Sequence, residues 1–305
     1  MGTPEFSVPC LAKLNNISDV AAVITQPDKP RGRGKKLTPS PVKEYAIQKN
    51  LTVYQPERIK SADFIPVLEK LAPHLIVVVA FGQILPPAIL AIPKLGCINV
   101  HASLLPRYRG AAPMQWCLIN GETMTGVTTM FMDAGLDTGD MLQKAEVSIA
   151  PEMTLSELHD ILSEKGARLL ETTIAALLNG TLTREKQTDA ASNYAPLITK
   201  KTGKIDWTKP AGAIHDLVRA LDSWPGAYAA FEGTIYKIWR TRLANPDRKA
   251  APGEILAMTE RGFLVGTGKG ILEVLEIQAP GKKRMAAADY LHGHPLSLPA
   301  RFDRN

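Results

Sequence analysis

GCINVHASLLPRYRGAAP, residues 96–113, is the stretch whose reading decides the fold. Cys97 to Val100 has the apolar character of a strand. Alternation along a strand sends residues two apart to the same face, so Asn99 and His101 should emerge side by side. Leu104-Leu105-Pro106 ends the strand and turns the chain, and Arg107, Arg109 and Gly110 follow as a basic turn. A polar pair at the C-terminal end of a strand, just ahead of a loop, stands where an open α/β sheet keeps its ligand. The same letters also fit a buried Asn and a core His with its hydrogen bonds satisfied. On this pattern alone the two readings stay level.

A third residue tips the balance. Asp133-Ala134-Gly135-Leu136-Asp137-Thr138-Gly139-Asp140 is a glycine-rich acidic loop that follows the apolar stretch from Gly126 to Met132. An Asn, a His and an Asp gathered in one site can polarise a carbonyl, stabilise an oxyanion and move a proton.

The totals permit this without demanding it. A chain of 305 residues is long enough for two domains with separate cores, and 45% hydrophobic with 22% charged residues is ordinary for a soluble globular protein. The formal net charge of +6 allows a polyanionic partner. Three cysteines, Cys10, Cys97 and Cys117, are odd in number and widely spaced, which argues against a disulfide framework or a structural zinc site. No basic segment followed by an apolar run opens the chain, and the longest apolar run, Leu75 to Phe81, is too short to span a bilayer. A cytoplasmic protein with no membrane contact is expected, and a monomer, since no long apolar surface stretch stands out.

Strands and helices alternate through the first half. Val20 to Thr25 and Leu75 to Ala80 are buried-strand candidates, Leu51 to Tyr54 a shorter one, and helices are expected over Ser7–Leu14, Val42–Lys49 and Ala62–Leu71. That alternation implies a parallel sheet. Thr154 with Glu157 forms a capping box ahead of a helix that Asn179-Gly180 stops. Between Asp28 and Lys43 lie six basic residues and one acid, with enough Pro and Gly to exclude a regular element. This should be an exposed loop, either a solvated charge run or an arm for phosphates. Its Gly-Arg-Gly-Lys-Lys piece is no Walker A motif, because Lys29 stands where the first Gly is needed and Lys36 where Ser or Thr is. No G-x-G-x-x-G opens a helix, so no dinucleotide cofactor is expected. Residues 184–204 are polar and irregular. A helix over Pro210–Leu221 then precedes five short strands, at Ala227–Phe231, Thr234–Trp239, Gly253–Met258, Gly262–Val265 and Ile271–Ile277, a pattern of the small OB-type barrel. Lys237, Arg240, Arg242, Lys282, Lys283 and Arg284 on it could track a nucleic-acid backbone or be plain surface charge.

Asn99-x-His101-x-Ser103-Leu104-Leu105-Pro106 together with Leu136-Asp137-Thr138-Gly139 resembles the formyltetrahydrofolate-dependent formyltransferase family, since both motifs agree in order and separation. The resemblance covers nearly the whole chain. It implies an α/β fold: a Rossmann-like parallel-sheet catalytic domain over residues 1–186, a linker over 187–204, and an OB-like barrel over 205–305. It also implies 10-formyltetrahydrofolate as formyl donor, no metal, and Asn99, His101 and Asp137 as catalytic residues. The pterin pocket would be formed by Phe81, Gly82, Gln83 and Ile84 with Ser103, Leu104, Leu105 and Pro106. The basic loop is similar to the insertion of the branch that formylates methionyl-initiator tRNA, with Arg31, Arg33, Lys35 and Lys36 as RNA contacts and Arg33 foremost. Acceptors left open are a small amine, such as glycinamide ribonucleotide or an amino sugar nucleotide, and water. A non-catalytic RNA-binding protein of the same fold is a further alternative, disfavoured by the intact Asn, His and Asp. Family members carry an apolar strand running into the GTP-x-F segment, which here is nearly absent. Either the true start lies upstream or the sheet lacks a central strand, and restoring that strand should raise the melting temperature.

Overall fold

The computed structural model describes residues 1–31, 34 and 36–303. Arg33 and Lys35, two of the expected RNA contacts, lie outside the described residues. The chain divides into two compact units, one of residues 1–113, 124–148 and 159–195, the other of residues 114–123, 149–158 and 196–305.

The first unit opens with helix α1 (Val8–Ile17), strand β1 (Val23–Ile24), strands β2 (Lys29–Arg31) and β3 (Lys36–Thr38), helix α2 (Pro41–Gln48) and strand β4 (Val53–Tyr54). Helix α3 (Ile65–Leu71), strand β5 (Ile76–Val78), helix α4 (Pro87–Leu90), strand β6 (Cys97–His101) and the short strand β7 (Arg109–Gly110) follow. After helix α5 (Pro113–Ile119), whose residues from 114 on belong to the second unit, come strands β8 (Met124–Phe131) and β9 (Met141–Ser148), the long helix α6 (Leu155–Leu178), which is in this unit from residue 159 on, and strand β10 (Tyr194–Ala195).

β1 pairs in parallel with β4, and β5 in parallel with β6. Between the two pairs, Gly2 bridges in parallel to Val79 and donates its amide to Ile24 O (3.0 Å), so Met1 and Gly2 supply a rung that joins them. A cavity of about 540 Å³, lined among others by Leu14, Val20, Leu68, Leu71 and Val77, lies beside that rung. The sheet is parallel in this half only. β8 and β9 extend it antiparallel, in the order β5-β6-β8-β9. All three residues of β5 are buried, as expected of a strand covered on both faces. Helix α2 starts where Ser40 accepts from the Lys43 amide (3.1 Å) with Pro41 in the first turn. Helix α6 starts at the expected capping box, Glu157 Oε2 accepting from the Thr154 amide at 2.8 Å.

The basic segment corrects one expectation. It is a hairpin: β2 and β3 pair antiparallel, Lys29 opposite Thr38, Pro30 opposite Leu37 and Arg31 opposite Lys36. Proline does not exclude this, because in a two-stranded ribbon every strand is an edge and a missing N–H can face away from the ladder. At its base Asp28 accepts from Lys43 Nζ (2.7 Å) and from Gln55 Nε2 (2.7 Å).

The second unit carries helix α7 (Ala211–Ala220), then β11 (Ala227–Phe231), β12 (Thr234–Asn245), β13 (Glu254–Met258), β14 (Phe263–Gly266), β15 (Ile271–Gln278), β16 (Met285–Ala286), helix α8 (Ala287–Gly293) and β17 (Ala300–Arg301). These strands form one antiparallel sheet in the order β11-β12-β15-β14-β13-β17, with β16 on β15. Residues after β17 curl it into a barrel: Asp303 donates its amide to Ala230 O (2.8 Å) on β11, while Ala300 and Arg301 pair with β13. Ile214 and Val218 of α7 pack with Ile238, Val265, Leu272 and Val274 in its core, where Trp207 stacks on Phe302. Among the described residues no helix is long and apolar enough to cross a membrane.

Candidate active site

Asn99 and His101 project from β6, whose register sets Asn99 opposite Met130 and His101 opposite Thr128 of β8. His101 is buried, 6% exposed. Its Nε2 lies 2.9 Å from the carbonyl oxygen of Tyr108, and its Nδ1 lies 3.7 Å from Asp137 Oδ2. Asp137 Oδ1 accepts from Asn99 Nδ2 at 3.4 Å, and Oδ2 accepts from the Gly110 amide at 2.9 Å. Residues far apart in the chain thus meet around one carboxylate. Asp137 holds this place with φ of 53°, the left-handed region that non-glycine residues seldom occupy.

The loops expected to take the pterin leave the C-terminal ends of two adjacent parallel strands, β5 and β6. Their side chains divide into two groups. Phe81, Ser103 and Leu105 are buried (2%, 0% and 1% exposed) and shape the loops from inside. Ser103 Oγ donates to Arg107 O at 2.7 Å, and Gln83 spends its carboxamide on the Ile59 amide (2.7 Å) and the carbonyls of Pro56 and Glu57. Gly82, at φ of 82°, and Ile84, 77% exposed, remain at the surface. Leu104 rests on Gly126, where an added Cβ would come within 2.6 Å of its Cδ2.

Sequence reading missed several residues that build the site. Thr128, fully buried, donates from Oγ1 to Ser103 O (2.7 Å) and accepts from the Leu105 amide (3.0 Å), fixing the turn after His101. Asn193 accepts from the Tyr108 amide with its side chain (2.6 Å) and from the Arg109 amide with its carbonyl (3.1 Å). Gln187 donates to the carbonyls of Asp137 (2.8 Å) and Gly139 (2.7 Å). Asn193 and Gln187 come from the polar stretch expected to be linker, and no periodicity marks them. The described residues contain no group of three or more His, Cys, Asp or Glu arranged to hold a metal ion.

Both halves of the chain match formyl transferase family models. Residues 5–174 match the formyl transferase model and residues 197–295 the formyl transferase C-terminal domain. The chain belongs to the formyl transferase family. It is 51% identical to a methionyl-tRNA formyltransferase of Geobacter metallireducens over 99% of this chain and 97% of that one. It is 50% identical to another so named from Clostridium perfringens, over 98% and 97%. Among solved structures, an N-formyltransferase from Helicobacter canadensis, in complex with folinic acid and dTDP-3-aminofucose, aligns with a TM-score of 0.66 at 22% identity, covering 90% of this chain and 97% of that one. At that identity the likeness concerns the fold alone.

Proposed function

We propose that this protein transfers the formyl group of 10-formyltetrahydrofolate to the α-amine of methionine esterified to initiator tRNA, for translation initiation in the cytoplasm. The observation that carries the reading is the convergence of Asn99, His101 and Asp137 at the end of β6. The relatives at about half identity over the full chain carry the choice of acceptor.

The chemistry follows from the atoms. A neutral amine attacks the formyl carbon, and negative charge collects on the formyl oxygen. The Asn99 carboxamide has two N–H bonds, only one of which is directed at Asp137, so the other can donate to that oxygen. A cationic His101 donates from Nδ1 to the same oxygen, and loss of one such donor costs roughly a hundredfold or more in rate. Asp137, through water, carries the amine proton to the folate nitrogen as the bond between that nitrogen and the formyl carbon breaks, releasing tetrahydrofolate and leaving the formyl group on the amine. No covalent intermediate with the protein forms. The donor binds as a substrate against Phe81–Ile84 and Ser103–Pro106.

In this reading residues 1–186 catalyse, residues 187–204 connect, and residues 205–305 contact tRNA, with Arg31, Arg33, Lys35 and Lys36 on the acceptor stem. The protein acts as a monomer. A small acceptor would need neither the hairpin at residues 29–38 nor the basic barrel.

Formyl transfer assayed with Met-tRNA, uncharged tRNA, glycinamide ribonucleotide and water decides the acceptor. Product with Met-tRNA alone, weakened by salt and lost in Arg33→Ala, is the expected result. Transfer to the small amine or to water instead would overturn the tRNA assignment and leave the catalytic one.

A further inference from the structure

We propose that Gln187 is a positioning residue for formyl transfer: its carboxamide, oriented by Arg109, holds Asp137 in the backbone conformation that directs the carboxylate toward His101 and Asn99. The inference rests on the function proposed above and concerns the same site.

Asp137 is gripped at both ends. Gln187 Nε2 spends its two hydrogens on the carbonyls of Asp137 and Gly139, at 2.8 and 2.7 Å, and the Gly110 amide holds Oδ2 at 2.9 Å. A non-glycine residue at φ of 53° persists only where its surroundings over-determine it, and these two grips do so. Both belong to one frame. Arg109 Nε donates to Gln187 Oε1 at 2.9 Å, which fixes which end of the amide is oxygen, and the next residue is Gly110 itself. Arg109 is in turn held by Asp189 at 2.8 Å, and β7 pairs with β10. The same segment reaches the other half of the site, because Asn193 holds the Tyr108 amide and the Tyr108 carbonyl holds His101.

Arg109 is an expensive way to fill this space. It is 9% exposed, and its Nη2 is buried without a hydrogen-bond partner among the described residues. An unpaired buried donor costs stability, so a guanidinium here is better explained by the direction it imposes on Gln187 than by packing.

The test uses the full chain with Gln187→Ala, Gln187→Glu, Arg109→Lys and the Gln187→Ala/Arg109→Lys pair. The glutamate variant still accepts from Arg109 but cannot donate to the two carbonyls. Both Gln187 variants should lose about tenfold to a hundredfold in kcat, with KM for both substrates changed less than about twofold. The lysine variant, which keeps the charge without the fork, should show the same split. The double variant should be no slower than the slower single, because the two residues act through one contact. Exchange of the Gly110 amide should quicken in every variant, and that measurement needs neither substrate. Near-normal kcat in Gln187→Glu, additive losses in the pair, or unchanged Gly110 protection in the variants that fold would each overturn the proposal. A wild-type enzyme inactive on Met-tRNA would overturn the acceptor assignment instead, with Gly110 exchange still deciding the role of Gln187.

Discussion

The Nε2 of His101 sits 2.9 Å from the carbonyl oxygen of Tyr108. A carbonyl oxygen only accepts, so Nε2 carries a proton in either charge state, and Nδ1 is the nitrogen turned toward Asp137. The two ring nitrogens therefore have separate duties. One anchors the ring to the loop after β6, and in the proposed mechanism the other serves the reaction.

His101→Gln separates those duties, since a Gln amide can reach the Tyr108 carbonyl but offers nothing at the Nδ1 position. We expect kcat to fall by roughly a hundredfold or more, as in His101→Ala, while folate binding survives. Steady-state kinetics beside folate titration checks this, and near-normal turnover in either variant would remove His101 from the mechanism.

Asp28 ties the base of the basic hairpin to Lys43 and Gln55, and the hydrogen bonds from those two side chains hold its carboxyl below the usual carboxylate range. Its folded pKa is depressed, so the contribution to stability is present above the ordinary Asp value and is lost as pH falls through the lowered one. Asp28→Asn should raise KM for tRNA several-fold (about 3- to 10-fold) with kcat unchanged, because it loosens only the arm proposed to face phosphates. Unchanged KM across a salt series would separate the hairpin from RNA binding.

Burial pushes the thiols of Cys10 and Cys97 up to about 12. A thiol whose folded pKa is raised stabilises the fold fully below its unfolded value, and that contribution is lost as pH rises from there through the folded value. Thermal stability should therefore decline between about pH 9 and pH 12. Cys10, Cys97 and Cys117 are all buried, so native protein should react slowly with a thiol reagent and yield all three only on unfolding. Rapid modification at neutral pH would contradict this burial.

Gly126 lies where β8 passes under Leu104, and an added Cβ would fall 2.2 Å from Ala145 O and 2.6 Å from Leu104 Cδ2. Gly126→Ala must shift backbone or displace Leu104 and should cost about 1–3 kcal/mol by denaturant unfolding. Because Leu104 is an expected pterin contact, KM for the folate should rise as well. A variant as stable as the parent would show that β8 and β9 can part here at little cost.

Strand periodicity in the letters gave β6, the pairing of Asn99 with His101, the buried β5 and the capped α6, because each depends on contacts within a few residues. Asp137 was legible as a glycine-flanked acid on a loop, although nothing local shows that its carboxylate reaches β6. The pairing of β2 with β3 was obscured by Pro30, because the exclusion of proline from strands does not extend to edges.

Sequence alone thus determined the chemical inventory and the two-part architecture, and it singled out Asn99, His101 and Asp137 as candidates for the site. Tertiary structure decided how they are held. The Tyr108 carbonyl holds Nε2 of His101 and leaves Nδ1 facing Asp137, whose own carbonyl accepts from Gln187 fifty residues onward. Thr128, Arg109, Gln187 and Asn193 act through hydrogen bonds between segments distant in the chain. Such bonds leave no spacing or periodicity to read, and only the folded chain brings their donors and acceptors within reach.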